Sequence, residues 1–102
     1  MLIVLADARF DPAQTSEIIA IARPMIEASR GEAGCAGYDY AFDMLEPGLM
    51  RVREWWRDEQ ALRDHFATPH MAAFLKALRT LKPASVTIKC HELGPERKMP
   101  NA

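Results

Sequence analysis

The order in which strand-like and helix-like segments follow one another constrains the fold of this 102-residue chain more than any other feature. Alternation of apolar and polar residues predicts strands, and apolar residues repeated every three or four positions predict helices. The resulting order, β-α-β-β-α-β, predicts an α+β ferredoxin-like fold, with the helices on one face of an antiparallel sheet. The predicted strands are residues 2–9, 35–44, 49–56 and 86–93, and the predicted helical regions are residues 13–30 and 58–81.

Prolines and capping residues mark the ends of the predicted helices. Asp11 and Pro12 suit the N-cap and the first position of the first helix, and Pro24 is expected to kink or split it. Asp58 is the expected N-cap of the second helical region, and Thr68 followed by Pro69 begins its last helix. We expect one domain over residues 1–93 and a polar tail over residues 94–102.

Charge and composition argue against several classes of partner. The formal net charge is -1, and basic residues are interspersed with acidic ones. A nucleic acid or an anionic membrane surface would require clustered Lys and Arg, so we expect neither as a partner. The apolar run at the start is too short to span a bilayer or to act as a secretory signal, so a cytoplasmic location is expected.

Known cofactor motifs do not occur in the sequence. Cys35 and Cys90 are far apart and in no metal-binding spacing, which argues against a cysteine-based zinc or iron–sulfur site. The glycines form neither a dinucleotide-binding nor a phosphate-binding loop, so no nucleotide or flavin cofactor is expected. No HExxH or His-x-His spacing occurs either, and no metal is expected.

Strand alternation separates two faces of the predicted sheet, one of which the helices should cover. Glu54 is the one strongly polar residue on this covered face, and a buried carboxylate needs a partner, a raised pKa or a wet cavity. The covered face is predicted to contain Leu2, Val4, Ala6, Ala8, Tyr38, Tyr40, Phe42, Met44, Met50, Val52, Glu54, Trp56, Val86, Ile88 and Cys90.

The opposite, open face carries charges of both signs together with Ile3, Leu5 and Trp55. Those apolar residues would be left in water in a monomer, so we expect a symmetric homodimer through this face. A solvated face is the alternative. In the dimer, acidic residues of one sheet would meet basic residues of the other. The acidic residues are Asp39 and Asp43, and the basic residues are Arg51 and Arg53.

One candidate site consists of Glu54, Trp56 and His65. His65 is predicted to lie about two turns into the second helical region and to look back at the sheet. A histidine beside a carboxylate can act as a general base near neutral pH. The alternative is a core histidine whose hydrogen bond Glu54 satisfies. His70, in the first turn of the last helix, is expected to cap that helix or to point into the same cavity.

The stripe Tyr38, Tyr40 and Phe42 is typical of a hydrophobic core. Two buried tyrosines each need a partner for the hydroxyl, however, and they could instead hold the oxygens of a planar substrate.

The stretches GCAGYDYAFD and EWWRDEQALRDHFATPHMAAF resemble the antibiotic biosynthesis monooxygenase family, and especially its quinol monooxygenase branch. The resemblance implies ferredoxin-like subunits paired into a dimeric α/β barrel, each with a cavity between sheet and helices. It also implies oxidation of quinols, polyphenols or anthrones with O2 and without metal or flavin. The matching positions are Gly34, Cys35, Gly37, Tyr38, Glu54, Trp56, Leu62, His65, Thr68, Pro69, His70 and Met71.

By this resemblance, His65 is the expected base and Glu54 its orienter or proton partner. Trp56, Tyr38, Tyr40, His70 and Phe74 are the expected substrate-binding residues. Haem-degrading relatives depend on an Asn in the first strand, whereas Asn101 is the only Asn here, so haem degradation is not expected. Two alternatives remain: an isomerase of a sugar phosphate or another enolisable substrate on the same scaffold, and a non-catalytic dimeric ligand-binding module.

Overall fold

The computed structural model describes residues 1–101 and confirms the predicted α+β ferredoxin-like fold. The four strands form one sheet in the order β2-β3-β1-β4, and all neighbouring strands are antiparallel. The elements in chain order are β1 (Leu2–Arg9), a short 3-10 turn (Pro12–Gln14), α1 (Thr15–Arg30), β2 (Cys35–Phe42), β3 (Leu49–Trp56), α2 (Glu59–Phe66), α3 (Pro69–Thr80) and β4 (Ser85–Glu92).

Helix α1 differs from its prediction at its start and at Pro24. The Asp11 side chain accepts a hydrogen bond from the Ala13 amide at 3.0 Å and opens the 3-10 turn, so the α-helix begins only at Thr15. The expected split at Pro24 does not occur, and α1 continues to Arg30. Pro24 is exposed, so water can bond the carbonyl group that the proline leaves without an N–H donor.

The predicted division of the sheet into two faces is confirmed in β1, β2 and β3. Val4 and Tyr38 both pair with Glu54 in the sheet register, and paired residues share a face. The helices cover this face, and its buried residues form the core together with α1 and α3. One prediction fails at the end of β2. Met44 is 98% exposed, because the Asp43 carboxylate accepts two backbone N–H bonds and turns the chain there.

The edge strand β4 is exposed on both faces, which corrects the prediction that the helices cover Val86, Ile88 and Cys90. Ile88 is 66% exposed. The helices pack over β2 and β3, and β4 lies two strands away from β3. A sheet of four strands is therefore wider than the helical layer above it.

The Asp and Arg side chains of the open face are paired within a single chain. Arg51 lies 3.2 Å from Asp7 and 3.3 Å from Asp43, and Arg53 lies 3.0 Å from Asp39. The complementarity that predicted pairing between two copies is thus already satisfied inside one sheet.

Among residues 1–101, no helix is long and apolar enough to cross a membrane. Residues 94–101 form neither helix nor strand, and residue 102 of the predicted tail lies outside the described part.

Candidate active site

Glu54 is buried in the middle of β3, with 7% of its surface exposed. Its Oε1 accepts a hydrogen bond from Trp56 Nε1 at 3.0 Å. Burial raises the pKa of the Glu54 carboxyl, while the bond from Trp56 and the proximity of His65 act in the opposite direction. Glu54 therefore has both the partner and the raised pKa that its position demands.

His65 is fully buried in α2 and faces the sheet, as its helical spacing predicted. Its ring packs on Trp56, with 4.5 Å between the ring centroids. Its Nδ1 lies 2.8 Å from Glu32 Oε2, and its Nε2 lies 3.5 Å from the Tyr38 hydroxyl. His65 is paired with Glu32, while Glu54 accepts from Trp56, whose ring packs on His65.

Glu32 is the functional candidate that the sequence pattern missed. The same Oε2 that contacts His65 also lies 2.8 Å from His70 Nε2, so one carboxylate oxygen joins two imidazoles. Glu32 lies in the turn after α1, where its carbonyl accepts a bond from the Cys35 amide. The only sequence signal is an acidic residue in the glycine-rich stretch between α1 and β2.

Gly34 allows this turn to approach α2 closely. A Cβ atom at Gly34 would come within 2.2 Å of the Ala61 Cβ, so a larger residue would push the turn away from the helix. Helix α2 is itself fixed by Asp58, whose side chain accepts from the Ala61 amide at 2.9 Å. These local contacts bring Glu32 beneath His65.

His70 contacts Glu32 and does not cap its helix. The N-cap of α3 is Thr68, whose side chain accepts a hydrogen bond from the Met71 amide at 3.3 Å. His70 is partly buried and lines a groove between α1 and α3. This groove is not lined by Glu54, Trp56 or His65, so it is not the shared cavity that the sequence suggested for His70.

The hydroxyl groups of Tyr38 and Tyr40 contact each other, and the Tyr38 hydroxyl also contacts His65. The Tyr38 hydroxyl lies 3.2 Å from the Tyr40 hydroxyl and donates to Met25 Sδ at 3.0 Å. Burial raises the pKa of both tyrosines, so each stays protonated at neutral pH. The Tyr40 ring also meets Phe74 edge-on, with 6.0 Å between centroids.

Two grooves flank α1, and each reaches some of the predicted site residues. The α1–β2 groove has a volume of about 450 Å³ and is lined by Tyr40 among mainly apolar neighbours. The α1–α3 groove has about 270 Å³ and is lined by His70 and Phe74. Neither groove is lined by Glu54, Trp56 or His65. Trp56 is fully buried and packs on His65.

Within residues 1–101, the donor atoms of one cluster lie close enough together to form a metal-ligand set. The cluster consists of Glu32, His65 and His70. Those atoms lie within 4.8 Å of one another, and two imidazoles with a carboxylate suit a divalent transition metal. Both contacts have the length of a hydrogen bond and converge on the same oxygen. We therefore interpret the cluster as a hydrogen-bonded trio.

Comparison with protein families gives one match that covers most of the chain. The model of the family described as Antibiotic biosynthesis monooxygenase matches residues 1–77. A crystal structure of a Deinococcus radiodurans protein, described as a putative antibiotic biosynthesis monooxygenase, superposes with a TM-score of 0.90. The alignment covers 99% of this chain and 100% of that one at 23% identity, a likeness that shows the fold.

Two curated proteins are also similar in sequence. An uncharacterized protein of Synechocystis, sll1783, is 34% identical over 89 residues, which are 85% of this chain and 60% of that protein. This chain therefore spans less than two thirds of that relative. A Bacillus subtilis protein named Putative monooxygenase YcnE is 28% identical over 94 residues, covering 92% of this chain and 99% of the relative.

Proposed function

Because this chain belongs to the antibiotic biosynthesis monooxygenase family, we propose that it oxidises a small electron-rich aromatic molecule with O2 and without a cofactor. The substrate class is a quinol, a polyphenol or an anthrone. The reaction needs a base, a pocket that excludes water and correct orientation of the substrate. The observation that carries the proposal is a fully buried imidazole, His65, held by a carboxylate and two aromatic rings.

The chemistry balances with O2 as the only co-reactant. Removal of a proton from the substrate gives a delocalised anion, which can pass an electron to O2. For an anthrone, a CH2 group and O2 give a C=O group and water. For a quinol, the ring and O2 give a hydroxyquinone and water, so one oxygen atom enters the product in either case.

His65 is the proposed base in this scheme. When its Nδ1–H donates to Glu32, its Nε2 is left as an acceptor on the side of Tyr38. Glu54 is the proposed second acid–base group, because its raised pKa favours a form that can release a proton. Trp56 packs against the imidazole and connects these two groups.

We further propose a homodimer that forms through the open face of the sheet. Leu5 is exposed on that face, and Ile3 and Trp55 are only partly covered. Paired Asp and Arg side chains surround them. A second copy would remove this apolar surface from water, and the paired Asp and Arg side chains could keep their partners.

An isomerase acting on a sugar phosphate is the second candidate function. The covered face of the sheet offers no cation for a phosphate, but α1 does. Arg23 and Arg30 line the α1–β2 groove together with Tyr40. An enolisation would use the same proton acceptor, His65, and would consume no oxygen.

Oxygen uptake with menadiol-like and anthrone-like substrates tests the proposed function. We expect His65→Gln to lower the rate about 100- to 10,000-fold, the range of general acid–base catalysis. Glu54→Gln should also lower it, whereas the controls His91→Gln and Glu59→Gln change exposed residues and should not. Oxygen uptake that is indifferent to His65→Gln and Glu54→Gln would refute the assignment. Conversion of a sugar phosphate without oxygen uptake would identify the isomerase.

A further inference from the structure

The burial of His65 raises the question of how a substrate could exchange a proton with it. His65 has no exposed surface, and neither groove beside α1 touches it. Among the polar side chains that do line those grooves are Tyr40 on the β2 side and His70 on the α3 side. Both belong to the same hydrogen-bonded cluster as His65.

We propose that Tyr40, Tyr38, His65, Glu32 and His70 form a proton relay between the α1–β2 groove and the α1–α3 groove. The substrate binds in the α1–β2 groove with its hydroxyl on Tyr40, and the proton leaves towards the α1–α3 groove. The identity of the substrate rests on the proposed function, whereas the relay itself rests on geometry alone.

The relay is continuous in the structure. The Tyr40 and Tyr38 hydroxyls are 3.2 Å apart, and the Tyr38 hydroxyl is 3.5 Å from His65 Nε2. His65 Nδ1 and His70 Nε2 each lie 2.8 Å from Glu32 Oε2. The inner members of the relay are Tyr38 and His65, which are buried, and Glu32, which is partly buried, so bulk water has little access to these contacts.

One reorientation completes the path. The Tyr38 hydroxyl has a single proton, and its shorter contact is to Met25 Sδ at 3.0 Å. A thioether sulfur is a weak acceptor, so rotation of this proton towards His65 Nε2 loses little. Tyr38 can then accept from Tyr40 while it donates to His65.

The proton balance is simple. The substrate hydroxyl gives its proton to Tyr40, Tyr40 passes its own to Tyr38, and Tyr38 passes its own to His65 Nε2. His65 then shares its Nδ1 proton with Glu32, which can pass one on to His70. The substrate ends as an anion, the trio gains one proton, and both tyrosines end neutral. Burial raises the pKa of both tyrosines, which favours this concerted path over a free tyrosinate.

The α1–β2 groove suits an aromatic substrate. Its volume of about 450 Å³ falls within the range of small-molecule sites, and most of its lining is apolar. The Tyr40 ring packs on Tyr38 and Phe74, which fixes the direction of its hydroxyl. A planar phenol in the groove would therefore meet a tyrosine side chain of fixed orientation.

Tyr40→Phe is the first test, because it keeps the ring and removes only the groove end of the relay. With a neutral phenol we expect turnover to fall at least about tenfold, and the loss should vanish with a substrate ionised before it binds. Thr80→Ala is the control. It removes a side-chain hydroxyl that donates to the Ala77 carbonyl at the end of α3 and contacts no member of the relay, and turnover should stay near that of the wild type. An equal loss for neutral and ionised substrates would overturn the proposal.

Nitrogen NMR of the imidazoles tests the relay without turnover. The titratable groups facing His65 are Glu32, His70, Tyr38 and Glu54. We expect the His65 and His70 signals to shift together with pH and to separate in Glu32→Gln, while exposed His91 serves as the reference. Independent titration of His65 and His70 in the wild type would refute the relay. If no oxygen is consumed with any substrate, the proposed function fails, and this experiment still decides the relay.

Discussion

The two faces of the sheet handle polar groups in opposite ways. On the covered face, Glu54, Tyr38 and Tyr40 are joined by hydrogen bonds to side chains of the interior. On the open face, Arg51 and Arg53 form ion pairs with acidic residues in contact with solvent. Exposed ion pairs contribute little and are screened by salt, whereas a buried group left without its partner loses the full cost of its desolvation. The covered face should therefore be far more sensitive to single substitutions.

The adjacent tryptophans test this contrast with one residue type. Trp56 is fully buried on the covered face, while Trp55 lies on the open face beneath the Arg53 guanidinium, 4.5 Å from its ring. We expect Trp56→Ala to lower the free energy of unfolding by about 3–5 kcal/mol. Trp55→Ala should cost clearly less, as measured by urea denaturation. Equal losses would mean that the open face is as tightly packed as the covered one.

Two glycines near the Glu32 turn test how closely the turn must approach α2. Gly34→Ala places a Cβ on Ala61, and we expect a loss of about 1–3 kcal/mol from overpacking. Gly31→Ala is the control, because the nearest atom to its Cβ would be the Ala28 carbonyl oxygen at 3.4 Å. Thermal unfolding of both variants measures the difference. Similar melting temperatures would show that the turn can shift away from α2 at no cost.

The ion pairs of the open face should have small and salt-dependent effects. Arg53→Gln removes the pair with Asp39 and the contact with Trp55, and we expect a loss of about 1 kcal/mol or less. The loss should shrink in high salt, because exposed charges are screened. Denaturation at low and at high ionic strength checks this. A larger loss that salt does not change would indicate a buried role for Arg53.

At acid pH the smallest effect on stability is expected from Glu54→Gln, because glutamine has nearly the same shape as the protonated carboxyl, and the effect should depend on pH. Burial raises the pKa of Glu54 in the folded state above its ordinary value of 4.5. Its contribution to stability is thus fully present below that value and is lost as the pH rises through the raised pKa. Glutamine stays neutral and can still accept the Trp56 N–H bond. The stability of Glu54→Gln relative to the wild type should therefore increase with pH, and a constant difference would contradict the assigned direction.

The sequence predicted the fold better than the site, for physical reasons. Alternation is a local property, so β1 and β3 were bounded correctly, and helical spacing correctly turned His65 towards the sheet. Alternation does not report how far the helices extend over a sheet, so the exposure of β4 was missed. Glu32 follows no periodic pattern, and it meets its histidines across 33 and 38 positions of the chain. The grooves depend on how α1 packs against β2 and α3, which only tertiary structure determines.

The central claim is that buried His65, held by Glu32, takes a proton from a bound phenol. Anaerobic absorbance titration with a nitrophenol-type analogue measures this step directly, because the ionised form absorbs at longer wavelength and no oxygen chemistry intervenes. We predict that the wild type binds the analogue as the phenolate at a pH where the free analogue is mostly neutral, and that His65→Gln binds it as the neutral phenol. The same ionised fraction in both proteins would contradict the account.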